Sequence, residues 1–372
     1  MNLNLEEIPT PSIVIDLDIL EENIRKMAQY CRSVKCNLRP HAKAHKNPFV
    51  ARKQIEAGAV GLCCQTLEEV EALVLGGVDS EILFTNMVST KTAIERLLAL
   101  CKNGNVMITL DSLENGENLA RVARHRGLVL DFILEVNVGQ NRTGSEPGEE
   151  AASLALELSR TEGLRFRGLM GYEGHLQTSI PEFDKRKKEV HSALSKLQKS
   201  IEEARKLGLD PEIVTAGGSG TYNITAEVPG VTEIQPGSYI VMDARYNLID
   251  TLGHDFKNSL FLISSVVSTR GDDRVIIDMG WKACSLEYQI IGYDGMPKAV
   301  GYDPGEITYS PGGDEHGILK IAQGVEASRR PKLGDRIKFI PSHCDTTVNL
   351  YSKFYGVRKK GEVEIVCPIA RR

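Results

Sequence analysis

Lys43 sits in the run Arg39-Pro40-His41-Ala42-Lys43-Ala44-His45-Lys46, where cations crowd one amine. Neighbouring positive charge and burial both disfavour an ammonium ion, leaving a nucleophilic amine suited to carbonyl chemistry. A solvated basic surface run is the alternative reading of the same residues. Far downstream, Pro341-Ser342-His343-Cys344-Asp345-Thr346-Thr347 packs metal-capable side chains into consecutive positions. If that segment is extended, His343 and Asp345 face one side and Cys344 the other. One imidazole with one carboxylate suits Mn2+, Zn2+ or a similar divalent ion, whereas histidine with cysteine favours Zn2+. So few protein ligands leave coordination positions open, as in a catalytic site; a polar loop is the alternative.

Other residues have the right types to work beside such an amine. Gly217-Gly218-Ser219-Gly220-Thr221 lets backbone N–H groups approach an anion closely and adds hydroxyl donors. It lacks the lysine of a nucleotide P-loop and the spacing of a dinucleotide fingerprint, and a tight turn is its plainer reading. Arg142, in a loop between Gly139 and Gly144, carries a planar fork able to hold a phenolate or a carboxylate. Tyr172 and His175 offer a hydrogen-bonding phenol and an acid/base that titrates near neutrality; a core tyrosine and a satisfied histidine are the alternatives.

These residues need a scaffold that brings them to one place. Apolar, β-rich bursts recur at 36–39, 60–63, 81–84, 106–109, 130–137, 166–172, 212–215 and 232–235. Amphipathic segments at 48–57, 66–75, 93–101, 114–126, 149–160 and 179–206 lie between them, and Thr66 with Glu69 has capping-box spacing. Eight strand-then-helix units predict an α/β chain with a (β/α)8 TIM barrel over 17–240, with a doubly wound sheet as runner-up. In such a barrel the C-terminal ends of the strands carry function, and each residue above follows a predicted strand. Past about Tyr239 the texture changes to alternating strands at 260–268, 275–278, 288–292 and 336–340, separated by Gly-, Pro- and Asp-rich turns. These predict a C-terminal antiparallel β domain, 241–372, joined by residues 1–16, whose strand Ser12–Asp16 is free to pair with it.

The chain's 372 residues suffice for a barrel plus a second domain. Its formal net charge of −5 gives no basic footprint for nucleic acid. No run approaches the roughly 18 apolar residues of a membrane span, and the polar start is unlike a secretory leader. Scattered cysteines, including the adjacent Cys63 and Cys64, predict reduced thiols and a cytoplasmic location.

Taken together, the segments Thr10–Asp16, Arg39–Lys43 and Pro341–Asp345 resemble the fold-type III pyridoxal-phosphate enzymes of the alanine racemase-like class. More narrowly, they resemble the metal-activated D-threonine aldolase and D-serine dehydratase family, nearly end to end. The resemblance implies pyridoxal 5'-phosphate on Lys43, Arg142 near its phenolic oxygen and Tyr172 near its pyridine nitrogen. It implies Gly218, Ser219, Gly220, Thr221, Gly237, Ser238 and Tyr239 at its phosphate. It also implies a divalent metal, Mn2+ favoured, on His343 and Asp345. Dehydratases of this class present His-any-Cys and aldolases His-any-Asp, so Asp345 favours the aldolase. The expected reaction is retro-aldol cleavage of a D-3-hydroxy amino acid such as D-threonine, with His175 the candidate base and a homodimer the expected assembly. The alternatives are a D-serine or D-3-hydroxyaspartate-type dehydratase, a racemase using the region of Trp281–Ser285 on its second face, and a non-catalytic pyridoxal-phosphate-binding protein.

Overall fold

Parallel strands buried on both faces alternate with amphipathic helices through the unit Ile24–Gly237, one of two into which the chain divides. The other comprises Met1–Asn23 and Ser238–Arg371. The computed structural model describes residues 3–271, 273–286 and 294–371. In chain order the first elements are β1 (Ser12–Asp16), α1 (Leu17–Val34), β2 (Asn37–Leu38), α2 (Pro48–Glu56), β3 (Leu62–Cys64), α3 (Leu67–Leu75), β4 (Ile82–Phe84) and α4 (Lys91–Asn103). Then come β5 (Val106–Leu110), α5 (Leu113–Arg124), β6 (Leu130–Glu135), α6 (Glu149–Arg160), β7 (Leu164–Gly171), α7 (Phe183–Lys206), β8 (Ile213–Ala216), the short α8 (Tyr222–Thr225) and β9 (Glu233–Ile234).

Strands β2 to β9 form one parallel sheet in the order β2-β9-β8-β7-β6-β5-β4-β3. Its two ends meet: Val60 N–H donates to Leu38 O and Cys63 N–H to Pro40 O, both at 2.9 Å, and His41 bridges Cys63. The fold is thus the (β/α)8 barrel. Its interior holds a layer of Cys63, Leu83, Met107, Ile133, Met170 and Ile213, one from each of β3 to β8. Their neighbours along the strands, such as Leu62, Ile82, Ile108 and Leu134, pack outward against the helices. Two-sided burial explains why these strands read as continuous apolar bursts. Helix α1 was not among the anticipated segments, although Leu17, Leu20, Ile24, Met27 and Cys31 recur at helical spacing and are all buried. Asp16, the last residue of β1, caps it by accepting the Ile19 N–H at 3.0 Å.

Beneath that layer lies an alternating network of charges. Arg39 reaches Glu233 with two hydrogen bonds, 2.7 and 3.1 Å, and Glu81 at 3.0 Å. Arg167 continues it to Glu81 at 3.4 Å, Asp131 at 2.7 Å and Glu212 at 2.9 Å. Arg39 and Glu233 are each 2% exposed, so a bidentate pair is what makes their burial tolerable. This corrects the picture of an uncompensated cation cluster around Lys43: Arg39 is neutralised here, and Lys46 lies 3.8 Å from the Glu69 carboxylate.

In the other unit, β10 (Leu260–Ser268), β11 (Arg274–Ile277), β12 (Lys298–Ala299), β13 (Ile307–Pro311), β14 (Gly317–Ile321), β15 (Arg336–Ile340), β16 (Lys353–Val357) and β17 (Val363–Pro368) join β1 in a second sheet. The short helix α9 (Leu252–Asp255) precedes β10, and α10 (Cys344–Val348) lies between β15 and β16. The expected strand at 288–292 lies outside the described residues. β1 pairs antiparallel with β10, Ser12 opposite Ile263, and parallel with β16, Ile13 opposite Phe354. The parallel pair departs from the all-antiparallel expectation. β1 and β16 come from opposite ends of the chain, so no hairpin dictates their relative direction.

Replacing Glu233 with glutamine leaves the buried Arg39 charge under-compensated, at a cost of about 3–5 kcal/mol. Denaturant unfolding followed by circular dichroism checks this. A loss below about 1 kcal/mol would show that Arg39 is held by other means.

Candidate functional site

Lys43 follows β2 in a turn of 3-10 helix, Ala42–Ala44, and its N–H donates to the Nδ1 of the capping His41 at 3.3 Å. The other ring nitrogen of His41 lies 3.2 Å from the Thr85 hydroxyl beyond β4. That hydroxyl lies 3.1 Å from both Cys64 O and Gln65 Oε1. Residues 41–43 are thereby pinned to the ends of β3 and β4. Lys43 itself is half-buried. Burial pushes the Cys63 thiol well up, and Arg39 and Lys43 act in the opposite sense. Gly237, after β9, is close enough that a Cβ there would press on His41 O at 3.2 Å.

After β6 the Asn137 side chain accepts the N–H groups of Gly139 and Asn141, both at 3.1 Å, and folds the loop back. The guanidinium carbon of Arg142 then stands 5.7 Å from the centroid of the Tyr172 ring. Glu135, at the end of β6, is 5% exposed, and burial pushes its carboxyl above the usual range; Thr143 and Arg142 restrain the shift. Tyr172 and His175 follow β7, His175 within the 3-10 turn Gly174–Leu176. His175 is exposed as a residue, yet partial desolvation of its ring holds its pKa below the ordinary value. The Lys196 ammonium acts in the same sense and Glu173 against it. The ring is therefore neutral near pH 7, the form that accepts a proton.

The glycine-rich segment follows β8 and leads into α8. It lies against residues 173–177: Gly220 N–H donates to Gln177 Oε1 at 2.9 Å, and a side chain at Gly220 would overlap Gln177 O. A side chain at Gly218 would likewise run into the Gln177 amide. Glycine is what the contact permits.

In the C-terminal unit, residues 344–348 form helix α10 with His343 as its N-cap, so the strand alternation entertained for 343–345 does not apply. Asp243 is wholly buried. Its Oδ2 lies 2.9 Å from His343 Nδ1 and accepts the Cys344 N–H at 2.9 Å, while its Oδ1 accepts the Tyr246 N–H at 2.7 Å. Ala244 N–H donates to Pro341 O at 3.0 Å alongside. Among the described residues, Asp243, His343 and Cys344 bring metal-capable atoms within 4.8 Å of one another. Asp345 stands outside that trio, its Oδ1 3.4 Å from the Cys344 sulfur. Burial pushes the Cys344 thiol well above its ordinary range, the Asp243 and Asp345 carboxylates act in the same sense, and the Ser238 hydroxyl opposes them. Both Asp243 oxygens are engaged by the chain, and its pairing with His343 Nδ1 is the usual setting of a metal-binding imidazole. The donor set therefore fits a divalent cation. Ser238 opens a 3-10 turn, Ser238–Ile240, and Tyr239 packs edge-on against Phe256 with centroids 5.6 Å apart.

Sequence reasoning passed over Glu135, Glu173 and Asp243. The first two end or closely follow a barrel strand, the position that singled out Arg142 and Tyr172. Asp243 pairs with a residue 100 positions away; its one local mark is the preceding Met242, buried at φ 55°. Near Trp281–Ser285, Lys282 is paired with Glu315 at 2.6 Å.

Residues 15–245 match the family model described as alanine racemase, N-terminal domain, and 259–357 the one described as putative serine dehydratase domain. The chain is 34% identical to 3-hydroxy-D-aspartate aldolase of Paracoccus denitrificans (strain Pd 1222), over 98% of this chain and 92% of that one. It is 33% identical to D-threonine aldolase of an Arthrobacter species, over 99% and 94%. The crystal structure of D-threonine aldolase from Filomicrobium marinum superposes with a TM-score of 0.92 at 33% identity, covering 100% of this chain and 97% of that one.

Asp243→Asn leaves one acceptor oxygen where two served the Cys344 and Tyr246 N–H groups and the His343 ring, and so slackens the hold on His343. Divalent-ion affinity is expected to fall about 10- to 100-fold, read by Mn2+ titration with electron paramagnetic resonance. Affinity equal to wild type would deny Asp243 this part.

Proposed function

The chain belongs to the alanine racemase-like family, in its D-threonine aldolase and D-serine dehydratase branch; on that premise we propose that it uses pyridoxal 5'-phosphate and a divalent cation to cleave D-3-hydroxy amino acids into glycine and an aldehyde. The observation that carries this reading is Asp345, a carboxylate two residues past His343, in a chain 34% and 33% identical, almost end to end, to two named aldolases.

When bound, pyridoxal phosphate supplies the electron sink for a bond broken at Cα, and a divalent cation supplies acidity at the substrate hydroxyl. The rest falls to the protein. Lys43, in the capped turn after β2, is the amine that carries the cofactor. Arg142 and Tyr172, in cation–π contact with each other, serve the phenolic oxygen and the pyridine nitrogen. Gly218, Ser219, Gly220 and Thr221, with Gly237, Ser238 and Tyr239, form the phosphate cradle. His343 and Asp345 hold the cation; an imidazole with a carboxylate suits Mn2+, Zn2+ or a similar divalent ion, and the family resemblance favours Mn2+. In the cleavage the β-hydroxyl loses its proton as the carbonyl forms, the electrons of the Cα–Cβ bond remain with Cα, and Cα takes up a proton. His175, neutral near pH 7, is the base for the hydroxyl proton.

Dehydration is the second reading, favoured by the match of 259–357 to a putative serine dehydratase domain. There Lys43 takes the α-proton, the hydroxyl departs, and the products are an oxo acid and ammonia. A cytoplasmic homodimer completes the proposal. None of the eight cysteines is in a disulfide, and among the described residues no helix is long and apolar enough to cross a membrane.

Incubation with D-threonine or 3-hydroxy-D-aspartate is expected to yield glycine and an aldehyde, identified by chromatography. Ammonia with an oxo acid would select dehydration, and the mirror-image amino acid would select racemisation. In the pH profile of kcat/KM, activity is lost as pH falls and His175 becomes protonated. Because its pKa is lowered, that limb lies below pH 6.5; an unchanged limb in His175→Gln would remove it as the base.

A further inference from the structure

A carboxylate is buried directly under the loop assigned above to the phosphate. Glu173 is 0% exposed. Its Oε1 accepts the hydroxyl protons of Thr221 at 2.7 Å and Thr225 at 2.6 Å, and its Oε2 accepts the Gly217 N–H at 3.1 Å. Negative charge beneath an anion site is unfavourable unless it does something the loop needs. The Thr221 hydroxyl shows what that is. Having given its one proton to Glu173, it must accept elsewhere, and it takes the Gly218 N–H at 3.2 Å and the Gln177 side-chain N–H at 3.0 Å. Gln177 in turn accepts the Gly220 N–H at 2.9 Å. One carboxylate therefore sets the direction of a hydroxyl that, with Gln177, fixes two glycine amides and closes the loop upon itself. The Thr221 hydroxyl is saturated by these partners, so its part in the cradle is internal.

We propose that Glu173 is a positioning residue for phosphate recognition: it holds Gly217–Thr225 in the one shape that receives the phosphate ester of the cofactor, while touching neither the phosphate nor the reacting atoms. The proposal rests on the pyridoxal-phosphate reading above. Glu173 follows Tyr172 directly, so the strand end that presents the phenol to the ring also anchors the phosphate loop. The two ends of the cofactor are thereby held in register by adjacent residues of one segment.

The test compares two ligands on full-length protein stripped of cofactor: pyridoxal phosphate, and pyridoxal, which lacks the phosphate. Binding is followed by visible absorption. In Glu173→Gln the carboxylate's charge-assisted bonds are lost, and affinity for pyridoxal phosphate is expected to fall about 10- to 100-fold. Affinity for pyridoxal should stay within about twofold of wild type, since its aldehyde meets an unaltered Lys43. Thr225→Val removes one donor at nearly constant volume and should show a smaller loss with the same selectivity; it carries the test if Glu173→Gln fails to fold. Equal losses for both ligands, or no loss for either, would overturn the role of Glu173. Wild-type protein that binds pyridoxal phosphate no better than pyridoxal would overturn the phosphate reading on which the proposal stands.

Discussion

A carboxylate taken out of water needs donors on its oxygens, and much of this chain is arranged around meeting that need. Glu233 and Glu81 meet it with Arg39 inside the barrel. Glu173 meets it with two hydroxyls and an amide of the glycine-rich loop. Asp243 meets it with the His343 ring and the amides of Cys344 and Tyr246. In each case at least one donor lies far from the acid in sequence, so satisfying the acid fastens two segments together. A residue that looks like an isolated acid in the sequence thus becomes the point at which the site's geometry is decided.

The barrel separates stability from chemistry along its axis. The charges of Arg39, Glu233, Arg167 and Asp131 are spent on one another below the apolar layer. Lys43, Arg142, Tyr172, His175 and the glycine-rich loop all follow strand ends at the opposite rim. The same logic separates two lysines three positions apart: Lys46 turns to Glu69, whereas Lys43 is held by a capped turn pinned to the ends of β3 and β4.

How much of this is legible in the sequence depends on the range of the interaction. Most barrel strands are visible because two-sided burial writes them as apolar bursts, as in Val106–Leu110, where Met107 faces the interior and Ile108 the helices. The Thr66 cap is visible because it is local: its hydroxyl accepts the Glu69 N–H at 3.3 Å. The shape of 343–348 is hidden for the opposite reason. Helix α10 has no side-chain cap of its own, and its first N–H is satisfied by Asp243 from 101 residues away. No local propensity records that bond. Glu173 lay beside two residues singled out for chemistry and was passed over because its work is done on another loop.

The central claim is that one amine, that of Lys43, carries the aldehyde cofactor. Borohydride reduction of the purified holoenzyme, followed by proteolysis and peptide mass spectrometry, locates that attachment directly. The account predicts the pyridoxyl phosphate mass on the peptide containing Lys43, at that residue. Its appearance on Lys46, on any other lysine or on none would contradict the account at its root.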